Sequence, residues 1–158
     1  MNMNTLLASL RNAVHDDSDL QSWCASNYSR NHKVYVGVDT RRPPAEDQYP
    51  LVYLYPVAKR GGYGLGTQDH VIGAACGLAD EDTRAVSGKT NLVELAGVQH
   101  LRTFRKYVDA AILGAELGDL TAGSVEIAFE TLDFFPFFLA TMEFTFTNEY
   151  AQGDDPFE

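Results

Sequence analysis

The chain has 158 residues, with 12 Lys and Arg against 22 Asp and Glu, so its formal net charge is −10 at pH 7. This length suits one domain whose core needs no disulfide or metal for stability. A hydrophobic fraction of 45% with 22% charged residues is typical of a globular rather than a disordered chain. The acidic balance argues against a broad basic face that grips nucleic-acid phosphates.

The first half of the chain predicts two helices and three strands. Apolar residues at helical spacing indicate a helix over 4–15, and Ser18 followed by Gln21 resembles a capping box that restarts a helix through Cys24. Alternation predicts a strand over 33–38 with Val34, Val36 and Val38 inward. Further strands are expected over 51–57 and 70–78, separated by loops at 39–49 and 59–68.

The second half predicts a charged connector over 80–89, a short strand over 91–95, one long helix and a closing hairpin. The helix spans 98–117, ends at Gly118 or Gly123, and has its charged residues, Arg105 included, off an apolar stripe. That stripe consists of Val98, Leu101, Phe104, Val108, Ile112 and Ala115. The closing strands, 124–134 and 137–150, each alternate between an apolar face and an acidic or hydroxylated face.

These elements predict an α+β fold: a mainly antiparallel sheet with an N-terminal helix and one long helix packed on one face. Residues 1–150 are expected to form a single domain, and 151–158 an acidic, flexible tail. Cys24 and Cys76 lack a CxxC spacing, which indicates buried, reduced thiols, although a disulfide between them stays open. The start of the chain shows no leader pattern, and no stretch is long and apolar enough to span a bilayer.

Motifs for chemistry are weak. The glycines of 61–66 and the sequence Gly88-Lys89-Thr90 both fail the spacing of a phosphate-binding loop. His70 with the acidic run 80–82 would need a favourable tertiary arrangement to bind a metal. We therefore expect no enzyme, cofactor or metal. Three glutamates share a predicted sheet face and serve either as paired carboxylates or as surface residues: Glu126, Glu130 and Glu143.

Basic residues on the two predicted loops indicate interaction instead. Arg41 and Arg42 precede two prolines in the first loop, and Lys59 and Arg60 precede the glycines of the second. Positive loops on an acidic body allow copies of one chain to join head to tail and close a ring. The apolar run 134–138 is either covered by a neighbour or folded back on its own core.

The order of elements resembles the tail terminator, or tail completion, proteins of long-tailed bacteriophages. The residues that carry this resemblance are the strand 34–39, the loop 42–47 with its two prolines and two acids, and the strand 50–54. The loop, strand, long helix and hairpin that follow are similar to that family as well. The resemblance covers about residues 5–150 in architecture and local texture, without an invariant motif.

The resemblance implies a virion structural protein at the head-proximal end of the tail, assembled in the host cytoplasm. Such proteins form a hexameric ring that caps the tail tube, stops its polymerisation and offers a docking surface to the head connector. The implied partners are other copies of this chain, the tail tube protein and the head–tail connector protein, with no membrane. DNA passes through the lumen without specific binding.

Within such a ring, individual residues acquire candidate roles. Arg41, Arg42, Lys59 and Arg60 are candidates for contacts with subunits or the tube, and Glu126, Glu130 and Glu143 for lining the lumen. Six copies at −10 would carry about −60, which repels DNA phosphates. Two alternatives stay open: another neck or head-completion adaptor protein, and a small cytoplasmic α+β enzyme or ligand-binding domain.

Overall fold

A computed structural model describes residues 1–37, 42, 44–61, 66–85, 89–129 and 135–149. Its helices are α1 (Met3–Asp16), α2 (Ser18–Tyr28) and α3 (Ala96–Leu113), with a short 3-10 turn over Glu46–Gln48. Its strands are β1 (Lys33–Val36), β2 (Leu51–Gly61), β3 (Thr67–Ala79), β4 (Thr83–Ala85), β5 (Val93–Leu95), β6 (Leu120–Phe129) and β7 (Phe137–Glu149). The predicted tail, 151–158, lies outside the described residues.

Five strands form one sheet in the order β1-β2-β3-β7-β6, and β4 pairs with β5 in a separate two-stranded ladder. Neighbouring strands of the larger sheet are antiparallel, except for the parallel pair β1 and β2. Helices α1 and α3 contact one face of this sheet, and α2 contacts α3. The predicted α+β fold, with helices on one face of a mainly antiparallel sheet, is confirmed.

The core lies between that sheet face and the helices. Alternate residues of β7 are at most 1% exposed, because successive side chains of a strand point to opposite faces. They are Phe138, Ala140, Met142, Phe144 and Phe146. Leu6 and Leu10 of α1 and Phe104 and Val108 of α3 complete the layer. Full burial of each large apolar side chain contributes about 1.5–3 kcal/mol to folding.

The first two helices have separate polar caps. The side chain of Asn2 accepts a hydrogen bond from the backbone N–H of Thr5 at 2.9 Å, which begins α1. Asp17 has extended backbone, and its carboxylate accepts from the N–H of Leu20 at 2.7 Å. Asp17 therefore caps α2, and the predicted cap at Ser18 is wrong because Ser18 is already the first helical residue.

Helix α3 differs from its prediction at both ends. It begins two residues earlier, and Gly114 rather than Gly118 or Gly123 follows its last residue. Gly97 faces Phe138, so the next residue, Val98, is turned away by one helical step and is 50% exposed instead of buried. Arg105 was expected on the polar side, but it lies beside Phe104 at the margin of the core and is 8% exposed.

The strands around the second predicted loop are longer than expected. β2 continues through Lys59, Arg60 and Gly61, which pair with His70, Asp69 and Gln68 of β3. The prediction of a loop at 59–61 is therefore wrong, because the antiparallel ladder extends beyond the apolar part of the strand. Residues 62–65 lie outside the described part of the chain.

Smaller corrections concern three other segments. Val36 was expected inward, but it is the last residue of the edge strand β1 and is 51% exposed. Val34 does pack on the core, whereas Val38 lies outside the described residues. The connector 80–89 contains β4, and β6 begins at Leu120 rather than at 124.

Candidate interaction face and an aspartate–histidine cluster

The face of the sheet opposite the helices carries no helix in the described part of the chain, and it is rich in tyrosine. The rings of Tyr35 and Tyr53 lie 5.2 Å apart on neighbouring strands. Tyr55 lies over Gly73, where a Cβ would collide with its ring. A tyrosine covers apolar backbone with its ring and keeps a hydroxyl for hydrogen bonds, a combination that is frequent at interfaces.

Two of the three candidate glutamates meet on this face. Glu126 of β6 and Glu143 of β7 are direct cross-strand partners, so their side chains project to the same side, and both are exposed. A shallow cavity of about 160 Å³ beside them is lined by Glu126, Ala128, Thr141, Met142 and Glu143. The predicted common face is confirmed for this pair, whereas Glu130 lies outside the described residues.

Like charges directly opposite each other on a sheet are destabilising. The pair is placed on the exposed face, where water and salt screen the repulsion. Their position concentrates negative charge on the side of the sheet opposite the helices. Such a side suits contact with solvent, with a cationic partner, or with a polyanion that must slide past without binding.

The four basic candidates are spread over two places. Lys59 and Arg60 are exposed near the end of β2, with Arg60 directly opposite Asp69. Asp69 in turn accepts a hydrogen bond from the hydroxyl of Thr147 at 2.7 Å on the same face. Arg42 is exposed, and Arg41 lies outside the described residues. The structure therefore presents Lys59 and Arg60 on an ordered strand end.

A buried polar cluster joins three elements that are distant in sequence. The carboxylate of Asp80, just after β3, contacts Nδ1 of His100 in α3 at 2.7 Å. The hydroxyl of Tyr28, at the end of α2, donates to the same oxygen at 3.0 Å. The other Asp80 oxygen accepts from the backbone N–H of Asp82 at 2.9 Å. The side chain of Asp80 is 7% exposed and that of His100 is 28% exposed.

The surroundings explain the protonation of this cluster. Burial by itself would raise the pKa of Asp80, but the hydrogen bonds from His100, Asp82 and Tyr28 outweigh it and hold that pKa below its usual value. Burial and the adjacent Asp80 charge raise the pKa of Tyr28, so its hydroxyl stays protonated and donates. Trp23 closes one side, with its ring edge-on to His100 at 6.1 Å.

Beside this cluster lies a polar cavity of about 320 Å³, lined by Tyr28, Arg30, Glu46, Asp47, Tyr49 and Ala79. Nη1 of Arg30 donates to the backbone carbonyl of Asp47 at 3.1 Å across it. Neither Asp80 nor His100 lines this cavity. The cluster therefore connects α2, α3 and the end of β3, and its hydrogen-bonding groups are turned toward one another.

Sequence analysis missed this cluster. No pattern in the sequence links His100 to Asp80, which was predicted to begin a charged connector. Sequence separations of 52 residues between Tyr28 and Asp80 and 20 between Asp80 and His100 leave no local pattern. Cys24 and Cys76, by contrast, are free and buried as predicted. Burial raises the pKa of Cys24 to about 12 and also raises that of Cys76.

Among the described residues, no group of three or more His, Cys, Asp and Glu side chains is arranged to hold a metal ion. Within the same residues, no helix combines the length and the apolar character needed to cross a bilayer. No known family model matches the chain, and no curated protein matches it.

Proposed function

We propose that this protein is a structural component of a phage tail, which caps the tail tube as a hexameric ring. In this role it ends tube polymerisation and provides the docking surface for the head connector. Its partners are its own copies, the tube protein and the connector protein. Assembly takes place in the host cytoplasm, and the protein is then part of the virion at the head-proximal end of the tail.

The observation that carries this proposal is that the described helices all lie on one side of the sheet. Its helices cover one face, and the other face presents tyrosines together with the exposed pair Glu126 and Glu143. In a ring with this face inward, the glutamates of six copies line a lumen that repels DNA phosphates. The resemblance in element order to tail terminators supports the same arrangement.

Mass measurement on a sizing column with light scattering tests the ring. A species of about 104 kDa, six times the 17.4 kDa chain, is the expected result over a range of protein concentrations. Addition of this protein to polymerising tube protein is expected to shorten the tubes seen by electron microscopy. A strict dimer at every concentration, with no effect on tube length, would contradict the proposal.

The identity of the binding partner separates this function from that of a neck or head-completion adaptor. A terminator binds the end of purified tail tubes, whereas an adaptor binds the portal or connector. Pull-down with each purified assembly in parallel distinguishes them. Binding to the connector alone, with tubes of unchanged length, would favour the adaptor.

A further inference from the structure

Within the described residues, each side of the large sheet has a stretch of strand whose outer side is covered by no other strand. β1 pairs with β2 only from Leu51 to Leu54, so from Tyr55 to Gly61 β2 has no strand on that side within the described residues. At the other end of the sheet, β6 pairs with β7 along Leu120–Phe129, and no described strand covers its outer side. An uncovered strand edge presents unpaired N–H and C=O groups that can pair with another strand.

A hydrogen bond from Gly37 shows which main-chain groups of β2 point away from β3. The N–H of Gly37 donates to the carbonyl of Leu54 at 2.7 Å, which places that carbonyl on the outer side. Alternate residues of a strand direct their main-chain groups to the same side, so the carbonyl of Pro56 also points outward. Proline lacks an N–H and is tolerated in a sheet at such an edge.

The two open edges carry opposite charge. The open part of β2, 55–61, contains Lys59 and Arg60 and no acidic residue. The stretch 116–129, which leads into and forms β6, contains three acidic residues and no basic one. These three, Glu116, Asp119 and Glu126, are exposed, as are Lys59 and Arg60. Complementary charge steers two surfaces together and fixes their relative position.

The edges also match in direction and in shape. β2 and β7 run the same way, and β6 runs opposite to both, so β6 of a copy placed alongside is antiparallel to β2. Ala58 and Ser124 lie in one row across the sheet, and the two irregularities of the ladder, at Val57 and Gly123, flank this row. Both edges therefore bend at the same level.

We propose that β6 of one copy pairs antiparallel with the open edge of β2 in the next copy, so that Arg60, which projects on the same sheet face as Glu126, lies along the acidic edge formed by β6 and the residues just before it. This contact deepens the ring proposed above and rests on it. Because the two edges are different surfaces, the contact is head to tail, which is the kind of contact that forms a ring when the rotation from copy to copy closes. It continues the sheet from copy to copy and keeps the face with Glu126 and Glu143 on one side.

Cysteine cross-linking tests which edges meet. Ala58→Cys and Thr121→Cys place one thiol on each edge, on the same sheet face, and leave all charges in place. With a short bis-maleimide, the double variant is expected to give a ladder of covalent multimers under denaturing conditions. A mixture of the two single variants is expected to stop at dimers. The wild-type chain is the control, because Cys24 and Cys76 are buried.

The outcomes separate the edge contact from the ring. A single variant that cross-links to itself indicates a symmetric contact between identical edges and overturns the proposal. Ring-sized particles of the double variant that do not cross-link also overturn it, while the ring stands. Absence of any ring-sized species at all concentrations overturns the ring and the edge contact together.

Charge reversal gives a matched second test. Glu126→Lys changes the edge strand, and Glu143→Lys makes the same change one strand further in, on the same face. We expect Glu126→Lys to abolish the ring-sized species at a protein concentration where Glu143→Lys retains it. Combining Glu126→Lys with Arg60→Glu is expected to restore part of it. Equal effects of the two glutamate variants would contradict an edge role.

Discussion

Asp80 is the residue that ties the ends of two helices to the sheet. Its carboxylate takes hydrogen bonds from Tyr28, His100 and the N–H of Asp82. When one partner of a buried, charged hydrogen bond is removed, the others lose a partner that water does not replace. The cluster therefore has a structural consequence that can be measured apart from any assembly.

Asp80→Asn is expected to lower the free energy of unfolding by about 2 kcal/mol at neutral pH, since it removes a buried charge that three donors stabilise. The exposed Asp119→Asn is the control and is expected to change the free energy of unfolding little.

Because the folded pKa of Asp80 lies below the usual 3.8, its contribution to stability is present above that pH and is lost as the pH falls through the folded value. Chemical denaturation of both variants across acid pH measures this. Parallel pH profiles of Asp80→Asn and wild type would contradict the assignment.

His70 has the opposite character, because neither ring nitrogen has a hydrogen-bond partner within the described part of the chain. The residue is fully buried on the core side of β3, directly opposite Lys59. Burial, followed by the nearby Lys59 charge, lowers the pKa of His70. Below about pH 6.5 the unfolded chain therefore binds a proton at His70 that the folded chain does not bind. The free energy of unfolding decreases as the pH falls through this range.

His70→Leu is expected to raise the free energy of unfolding by about 1 kcal/mol at neutral pH, because an apolar side chain replaces two unsatisfied nitrogens. It is also expected to flatten the loss of stability between about pH 7 and pH 5. His32→Leu serves as the comparison. Its Nε2 is hydrogen-bonded to the carbonyl of Val14 at 2.8 Å, so that replacement leaves an acceptor unpaired. A destabilised His70→Leu would show that the imidazole has a favourable partner.

At the scale of the elements, the position of α3 on the sheet is set by a glycine. Gly97 lies against the ring of Phe138, which is only 1% exposed, and a Cβ there would collide with that ring. The close approach places Leu101 and Phe104 in the core and turns Val98 to solvent. A helix-forming pattern alone cannot show this, because the collision involves a residue 41 positions away.

Gly97→Ala is expected to destabilise the protein by about 1–2 kcal/mol, since the clash with a fixed aromatic ring exceeds the gain of about 1 kcal/mol in helix propensity. In a Phe138→Leu background the smaller side chain leaves room, so the same change is expected to cost less. A double-mutant cycle followed by thermal or chemical denaturation measures the coupling. Additive effects would mean that Gly97 and Phe138 do not constrain each other.

Elements with an uninterrupted period were predictable from the sequence. The alternation along β7 predicted which residues are buried, and the stripe containing Leu101, Phe104, Val108 and Ile112 predicted the core face of α3. Strand length was not predictable at Lys59 and Arg60. Their place in β2 depends on pairing with β3 and not on their own propensity.

The candidate site was likewise predictable only where a local sequence pattern determines the position of a residue. Glu126 and Glu143 were predicted to share a face because a period of two fixes the side of each residue. The register that makes them direct partners required the fold. Tyr28, Asp80 and His100 come from three elements, and only the packing of α2 and α3 against the end of β3 brings them together. No local pattern contains that information.

At the scale of the whole molecule, charge acts in two opposing ways on assembly. Each copy carries −10, so copies repel one another at long range. The proposed contact instead brings Arg60 close to the acidic edge of a neighbour. Salt separates the two effects, because the screening length is about 30 Å at 0.01 M, about 8 Å at 0.15 M and about 3 Å at 1 M.

The ring population is therefore expected to pass through a maximum as ionic strength rises. From about 0.01 M to 0.15 M salt, repulsion between whole copies is screened while charges in contact still attract, so the ring-sized species should increase. Toward 1 M the contact charges are screened as well, and the increase should stop or reverse. Light scattering at fixed protein concentration across this series measures the effect. A decrease from the lowest salt onward would mean that local ion pairs outweigh the net charge. For Arg60→Glu, which makes each copy more acidic and removes an attractive contact, the rise at low salt should remain and the later fall should weaken.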